Sequence, residues 1–282
     1  MKRTAPLRFL ISCSLALASS ASAATFVWDG ANLGDFLTGS NWLDGVAPVN
    51  GDASNEITIS NGTFADYNPG GDFVSNGTFT VSGANSGWVT DDSNWSRFNG
   101  TVNVLNGGRI DRNSGGNLVF GSDNVASGST IDLTVNGGIV ETNSELWFGW
   151  NTAGVTQNVN VNVSGGGSLT SFGGGGASIF AWDNVIFNFT GAGTITANNQ
   201  GIKYGANSGA GLTAGTWENQ WAAGTLRFNG LSGQDGETFS DYFSTTGTNG
   251  STVYTLTAVP EPSVSALFGL GGLALILRRR KS

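Results

Sequence analysis

Between residues 57 and 189, short runs of alternating apolar and polar residues recur, each closing on a small polar residue and glycine. Ile131-Asp132-Leu133-Thr134-Val135 leads into Asn136-Gly137-Gly138, Val159-Asn160-Val161-Asn162-Val163 into Ser164-Gly165-Gly166, and Val185-Ile186-Phe187-Asn188-Phe189 into Thr190-Gly191. Shorter copies precede them: Ile57-Thr58-Ile59, Phe79-Thr80-Val81 and Val102-Asn103-Val104, the last with Leu105 as an extra residue before its turn. Alternation at period two predicts strands with one buried face. Asn-Gly and Gly-Gly supply the positive φ that tight corners need.

The strand ends Ile59, Val81, Val104, Val135, Val163 and Phe189 are 22, 23, 31, 28 and 26 residues apart. A second apolar element recurs between them: Leu118-Val119-Phe120-Gly121, Leu146-Trp147-Phe148-Gly149 and Ile179-Phe180-Ala181-Trp182. Two elements per period mean at least two strands per turn. Self-similarity at this spacing means stacked units, none of which can bury its apolar face alone. The pattern predicts an all-β chain built as a right-handed parallel β-helix, or solenoid, with like residues stacked about 4.8 Å apart. Asparagines at its corners are placed to form side-chain ladders. The rival is an antiparallel β-sandwich, which has short strands at regular spacing but does not require the longer recurrence.

Helical periodicity is almost absent between the two ends of the chain. The bulky group Trp217, Trp221, Tyr242 and Phe243 marks a departure from the repeat and a candidate cap for the last rung, with final strands at Leu226-Arg227-Phe228 and Tyr254-Thr255-Leu256. The chain divides into a signal peptide at 1–23, a repeat region at 24–215, C-terminal strands and cap at 216–258, and a tail at 259–282.

Composition narrows the chemistry. The 282 residues include 45 Gly, 9 Trp and no His, which excludes a Ser-His-Asp triad, a Cys-His pair and a His-ligated zinc. The single cysteine, Cys13, lies in the N-terminal apolar stretch, leaving the remainder without a disulfide or thiolate cluster. Between 24 and 258 there are five basic residues (Arg97, Arg109, Arg112, Lys203 and Arg227) against nineteen acidic ones. Such a surface repels polyanions, so nucleic acid is not an expected partner.

The ends read as addresses. Lys2, Arg3 and Arg8 precede an apolar stretch from Phe9 to Ala18 and then Ala21-Ser22-Ala23, the small-residue pattern of a secretory signal cleaved by signal peptidase between Ala23 and Ala24. Leu10-Ile11-Ser12-Cys13 has the residue types of a lipobox, but a cut there leaves too short an apolar segment. At the other end, Pro260-Glu261-Pro262 precedes an uncharged run over 264–277 and then Arg278-Arg279-Arg280-Lys281. As a transmembrane helix this run spans only about 21 Å against about 30 Å of hydrocarbon. The basic cluster orients it with the preceding domain outside.

Pro-Glu-Pro, short apolar helix and basic end, in that order over 259–282, resemble the PEP-CTERM sorting signal of Gram-negative bacteria. The resemblance implies processing by an exosortase at or near Pro260, Glu261 and Pro262, transient anchoring in the inner membrane, and release to the cell surface or beyond. Members of that family commonly accompany exopolysaccharide and biofilm production. Trp28-Asp29-Gly30, Ser40-Asn41-Trp42, Pro48 and Gly51-Asp52, with a second Ser93-Asn94-Trp95, resemble the opening of autotransporter-associated β-strand repeat proteins, which are surface-exposed passenger-like β-helices. The large C-terminal translocating barrel of true autotransporters is not part of the resemblance.

Glycoside hydrolysis needs two carboxylates about 5–10 Å apart. Asp91 with Asp92, Glu141 with Glu145, and Asp183 are the candidates. Arg109, Arg112 and Lys203 are the available bases for lyase chemistry. None of these follows a recognisable spacing, so no catalytic residue is assigned, and turn acids on a soluble surface account for them. Calcium is the one conceivable cofactor, at Asp235, Glu237 and Asp241 or at Asp29 and Asp35, and no metal ligand is assigned. The nine tryptophans read as rung fillers and caps rather than as sugar-stacking platforms. The expectation is an exported, non-enzymatic structural or adhesive surface protein, with a carbohydrate-active β-helix enzyme as the alternative.

Overall fold

A computed structural model describes residues 23–53, 55–122, 125–150, 157–173, 178–182, 184–205 and 212–259. The chain winds as a parallel β-solenoid whose coils, after a first with strands on two sheets, each lay one strand on each of three sheets in turn. Sheet I has eight strands, starting at Ala24–Val27 and ending at Leu226–Phe228. Sheet II has nine, beginning with Gly34–Asp35, and sheet III has seven, with Phe73–Ser75 at one edge. Neighbouring coils pair in parallel throughout sheet I. The sandwich alternative is thereby excluded. Antiparallel pairing within the sheets is confined to the last strands, where Tyr254–Ala258 joins Gly193–Ala197 and Phe243–Thr246, and Leu212–Ala214 joins Ile202–Gly205.

The predicted strand ends form one interior column. Ile59, Val81, Val104, Val135, Val163, Phe189 and Phe228 are register partners from coil to coil, and all are buried in one core. Leu105 causes no offset: it pairs with Ser82 below and Asn136 above, so the strand runs on one residue. Period-two alternation does the sorting, because residues between the column members face outward. The ladders form as well. Asn188 Nδ2 donates to Asn162 Oδ1 (3.4 Å), Asn160 Nδ2 to Asp132 Oδ1 (2.8 Å) and Asn99 Nδ2 to Asn76 Oδ1 (2.9 Å). The first two stand on the outer face of sheet I rather than at corners.

Each coil after the first has three strands, one more than the two apolar elements recognisable along the chain. The additional strand belongs to sheet II. Its inward positions alternate between an apolar column (Trp88, Ile110, Val140, Leu169, Ile195) and a polar or small one (Thr90, Arg112, Thr142, Ser171, Ala197). The polar members are buried and tie the corner into sheet III. The Ser171 hydroxyl lies between two carbonyl acceptors, Ser144 O (2.7 Å) and Ser178 O (2.5 Å), with one proton to give, and Thr142 Oγ1 accepts from Ser144 N (3.0 Å).

At the start of sheet II, Gly108, Gly138 and Gly167 stand in register above one another. A Cβ on Gly138 would lie 2.5 Å from the Val104 carbonyl oxygen one coil below, a contact no side chain tolerates. Gly108 and Gly167 meet the Val81 and Val135 carbonyls in the same way, so this close approach is what the last glycine of each of these turns serves. At the C-terminal end, helix α1 (Trp217–Ala222) and helix α2 (Phe239–Tyr242) depart from the coil. Trp217 packs on Phe187 (5.5 Å) and Phe243 on Phe189 (5.2 Å), setting aromatic rings against the interior residues of the penultimate strand of sheet I.

Candidate functional site

The acidic residues singled out from the sequence are dispersed over the coil. Asp91 and Asp92 follow strand Gly87–Thr90 in a corner loop. There Asp92 accepts from Gly70 N (3.0 Å) and Asn94 Nδ2 (2.6 Å), holding two successive corners together. Glu141 lies on the outer face of sheet II, where Arg109 bridges it to Asp111, the latter at 2.9 Å. Glu145 belongs to the next corner, its Oε2 accepting from Trp147 Nε1 (2.9 Å). Glu141 and Glu145 are therefore engaged with different partners on different sheets. Asp183 lies outside the described residues.

Among the bases, Arg112 is fully buried. Its guanidinium donates to the carbonyls of Asp92 (2.6 Å), Asn94 and Gly116 (2.5 Å) and to Ser96 Oγ (3.2 Å). Burial pushes its pKa down to about 10, which leaves it charged at neutral pH. It occupies the polar column that Thr90, Thr142 and Ser171 fill elsewhere, and stitches the same corner. Lys203 lies over the Phe180 ring at 5.8 Å.

Three of the five calcium candidates, Asp35, Asp235 and Glu237, are engaged locally. Asp35 caps its own turn, accepting from Leu37 N (2.9 Å) and Thr38 Oγ1 (2.8 Å). Asp235 accepts from Ser232 N (2.9 Å) and Oγ (3.0 Å), and Glu237 from the Tyr242 hydroxyl (2.9 Å). Among the described residues no group of three or more His, Cys, Asp or Glu is placed to hold a metal ion. Three carboxyls stand above their ordinary range. Burial raises Asp66, with Asp91 and Asp35 adding to it; burial raises Asp111 against the pull of Arg109; and burial raises Glu145 against the Trp147 hydrogen bond.

One concentration of side chains was not foreseen. Five of the nine tryptophans (Trp28, Trp42, Trp88, Trp217 and Trp221) belong to the core, as expected. Trp95, Trp147, Trp150 and Trp182 lie outside it. Arg97, Val119, Trp147, Phe180 and Lys203 are register partners on successive strands of sheet III. They alternate with inward residues, so they form one outward column. Trp95 and Trp147 meet at 5.0 Å, Trp95 and Trp150 at 4.8 Å, Trp147 and Phe180 at 5.3 Å, and Trp147 and Trp182 at 5.3 Å. The Arg97 guanidinium covers Trp95 at 5.1 Å and Trp150 at 5.4 Å, and pairs with Asp72 at 2.8 Å. The two Ser-Asn-Trp copies thus part company: Trp42 fills the first coil, donating through Nε1 to Phe36 O (2.7 Å), while Trp95 joins the outer cluster.

Of the processing residues, Ala24 opens the first strand and Ala23 is exposed beside it. Ala21, Pro260, Glu261, Pro262, the apolar run and Arg278, Arg279, Arg280 and Lys281 lie outside the described residues. Among the described residues no helix is long and apolar enough to cross a membrane. No curated protein and no solved structure matches the chain. Residues 258–281 match the family model described as the PEP-CTERM protein-sorting motif, so the chain joins a PEP-CTERM sorting motif to a parallel β-solenoid.

Proposed function

We propose that this chain is an exported, non-enzymatic structural or adhesive protein of a Gram-negative cell surface or extracellular matrix. In this reading signal peptidase cuts after Ala23, the tail anchors the chain transiently in the inner membrane, and an exosortase removes it near Pro260-Glu261-Pro262. The observation that carries the proposal is the sorting motif at 258–281, joined to a stacked coil that holds its own shape. Ala24 opens the first strand among the described residues, so cleavage after Ala23 leaves every described strand in place. The dispersal of Asp92, Glu141 and Glu145 among separate local contacts supports a scaffold over a hydrolase, since hydrolysis needs two carboxylates flanking one bond.

The test follows the protein in a host that carries an exosortase. Wild-type protein is expected outside the inner membrane with its tail removed, and a Pro260→Ala/Glu261→Ala/Pro262→Ala variant is expected to stay membrane-bound at full length. Wild-type protein that remains at full length in the inner membrane of that host overturns the proposal.

A further inference from the structure

We propose that the outward aromatic column of sheet III is a binding platform for a chain of uncharged pyranose sugars lying along the solenoid axis. The inference rests on the surface-protein reading above and names the partner that such a surface would hold.

The column breaks the rule of the other two faces. Outward positions in the central column of sheet I read Thr58, Thr80, Asn103, Thr134, Asn162 and Asn188 in register, a hydrogen-bonding row. The apolar residues that face out on this sheet, Val27, Leu105 and Ile186, are aliphatic and stand singly among polar neighbours. Those on sheet II include Asp35, Asp66, Asp111 and Glu141, a charged one. On sheet III the equivalent positions carry Trp147 and Phe180, flanked by Trp95, Trp150 and Trp182. Coil stability asks only that the inward residues be apolar, and Leu146, Phe148, Ile179 and Ala181 already meet that demand. Trp95, Trp147, Trp150 and Phe180 remain partly exposed. Aromatic rings grouped in mutual contact and left partly open to water mark an interaction site.

The chemistry of the rim selects the occupant. Arg97, Lys203, Asp72 and Glu145 border the rings and balance one another in charge. They sit on a region that carries nineteen acids to five bases. A polyanion, whether uronate polymer or single-stranded nucleic acid, meets net repulsion there, although stacked aromatics suit nucleic-acid bases in basic grooves. An uncharged pyranose offers what the site can use: an apolar face of C–H groups to lie on indole and phenyl rings, and equatorial hydroxyls to bond with the Glu145 carboxylate, the Arg97 guanidinium and the Lys203 ammonium. Trp147 is the centre of the arrangement, touching Trp95, Trp150, Phe180 and Trp182 and donating to Glu145.

The full chain, purified in mild detergent, is run through native gels containing hydroxyethylcellulose or mixed-linkage β-glucan, with alginate and oligothymidylate as charged counterparts. Retardation is expected in the neutral polymers alone, with Trp147→Ala weakening it about tenfold or more. Trp147→Phe, which keeps a stacking face, is expected to recover part of the loss. Lys203→Gln, a surface change that leaves the packing intact, is expected to weaken retardation several-fold, so the platform can be judged even if Trp147→Ala does not fold. No retardation of wild type by a neutral polymer, equal retardation of wild type and Lys203→Gln, or preference for alginate or oligothymidylate overturns the platform. Loss of self-association rather than of glycan binding in Trp147→Ala also overturns it, by assigning the face to a second copy. Protein released normally from the membrane yet indifferent to glucan sinks the platform alone; protein that binds glucan yet never leaves the inner membrane sinks only the surface role.

Discussion

At the residue scale, the buried polar positions divide into those that hold the coil and those that strain it. Arg112 belongs to the first kind: four acceptors from two corners converge on one guanidinium, and the nearby Asp92 and Asp72 carboxylates favour its charge against the cost of burial. Asp66, Asp111 and Glu145 belong to the second. Each has a folded pKa above its ordinary value of 3.8 or 4.5, with burial as the main cause. The folded chain therefore binds these protons more tightly than the unfolded chain does. Stability must then fall as pH rises from the ordinary values through the raised ones, and be regained on acidification. The melting temperature is expected to be higher near about pH 4, in the ordinary carboxylate range, than at neutral pH, with Asp66→Asn raising it at neutral pH and flattening the profile. Thermal unfolding followed by circular dichroism across that range checks this; a melting temperature that drops steadily on acidification refutes it.

At the scale of elements, what the chain announces is what stacks. The columns ending in Val104, Val135 and Val163 could be read along the sequence because five-residue alternation and a following glycine coincide. Sheet II was hidden for a physical reason: its strands, such as Arg109-Ile110-Asp111-Arg112, place one apolar and one polar residue inward, so no hydrophobic period appears. The outer aromatic column was hidden for a related one. Leu146-Trp147-Phe148 reads as a continuous apolar run, and a run does not say which of its members faces out. The sorting motif was legible because three chemically distinct segments occur in fixed order. Within sheet III, Phe98, Phe120 and Phe148 are register partners with centroids 5.4 and 5.7 Å apart and planes inclined by 19° and 16°. Phe120 packs against a ring on either side, so Phe120→Ala is expected to cost about 3–5 kcal/mol in urea unfolding, and Phe120→Leu clearly less. Equal losses for the two would mean that the ring itself, rather than the volume it fills, carries the contact.

At the scale of the molecule, each coil contacts chiefly its two neighbours, which makes the protein close to one-dimensional in its energetics. A consequence is that a whole coil is a removable unit while part of one is not. Glu56 and Thr78 occupy the same register position in successive coils, as do Phe73 and Ser96 in sheet III. Deleting residues 56–77 therefore brings Thr78 to the place of Glu56 beside Thr25 and Val89 to the place of Asp66 beside Asp35. Every inward column continues with one member fewer. Deleting residues 56–66 instead removes one strand from each of sheets I and II and leaves Phe73–Ser75 in place, so the remaining strands can no longer stay in step on all three faces. The whole-coil deletion is expected to keep a strand-type circular dichroism spectrum and a single cooperative unfolding transition, with the denaturant slope reduced by roughly a tenth in line with the surface lost. The partial deletion is expected to unfold the chain or break its cooperativity. The two outcomes differ because register, set coil by coil, is what lets these strands bury their apolar faces, and a shift of one residue would turn each strand's core side to water.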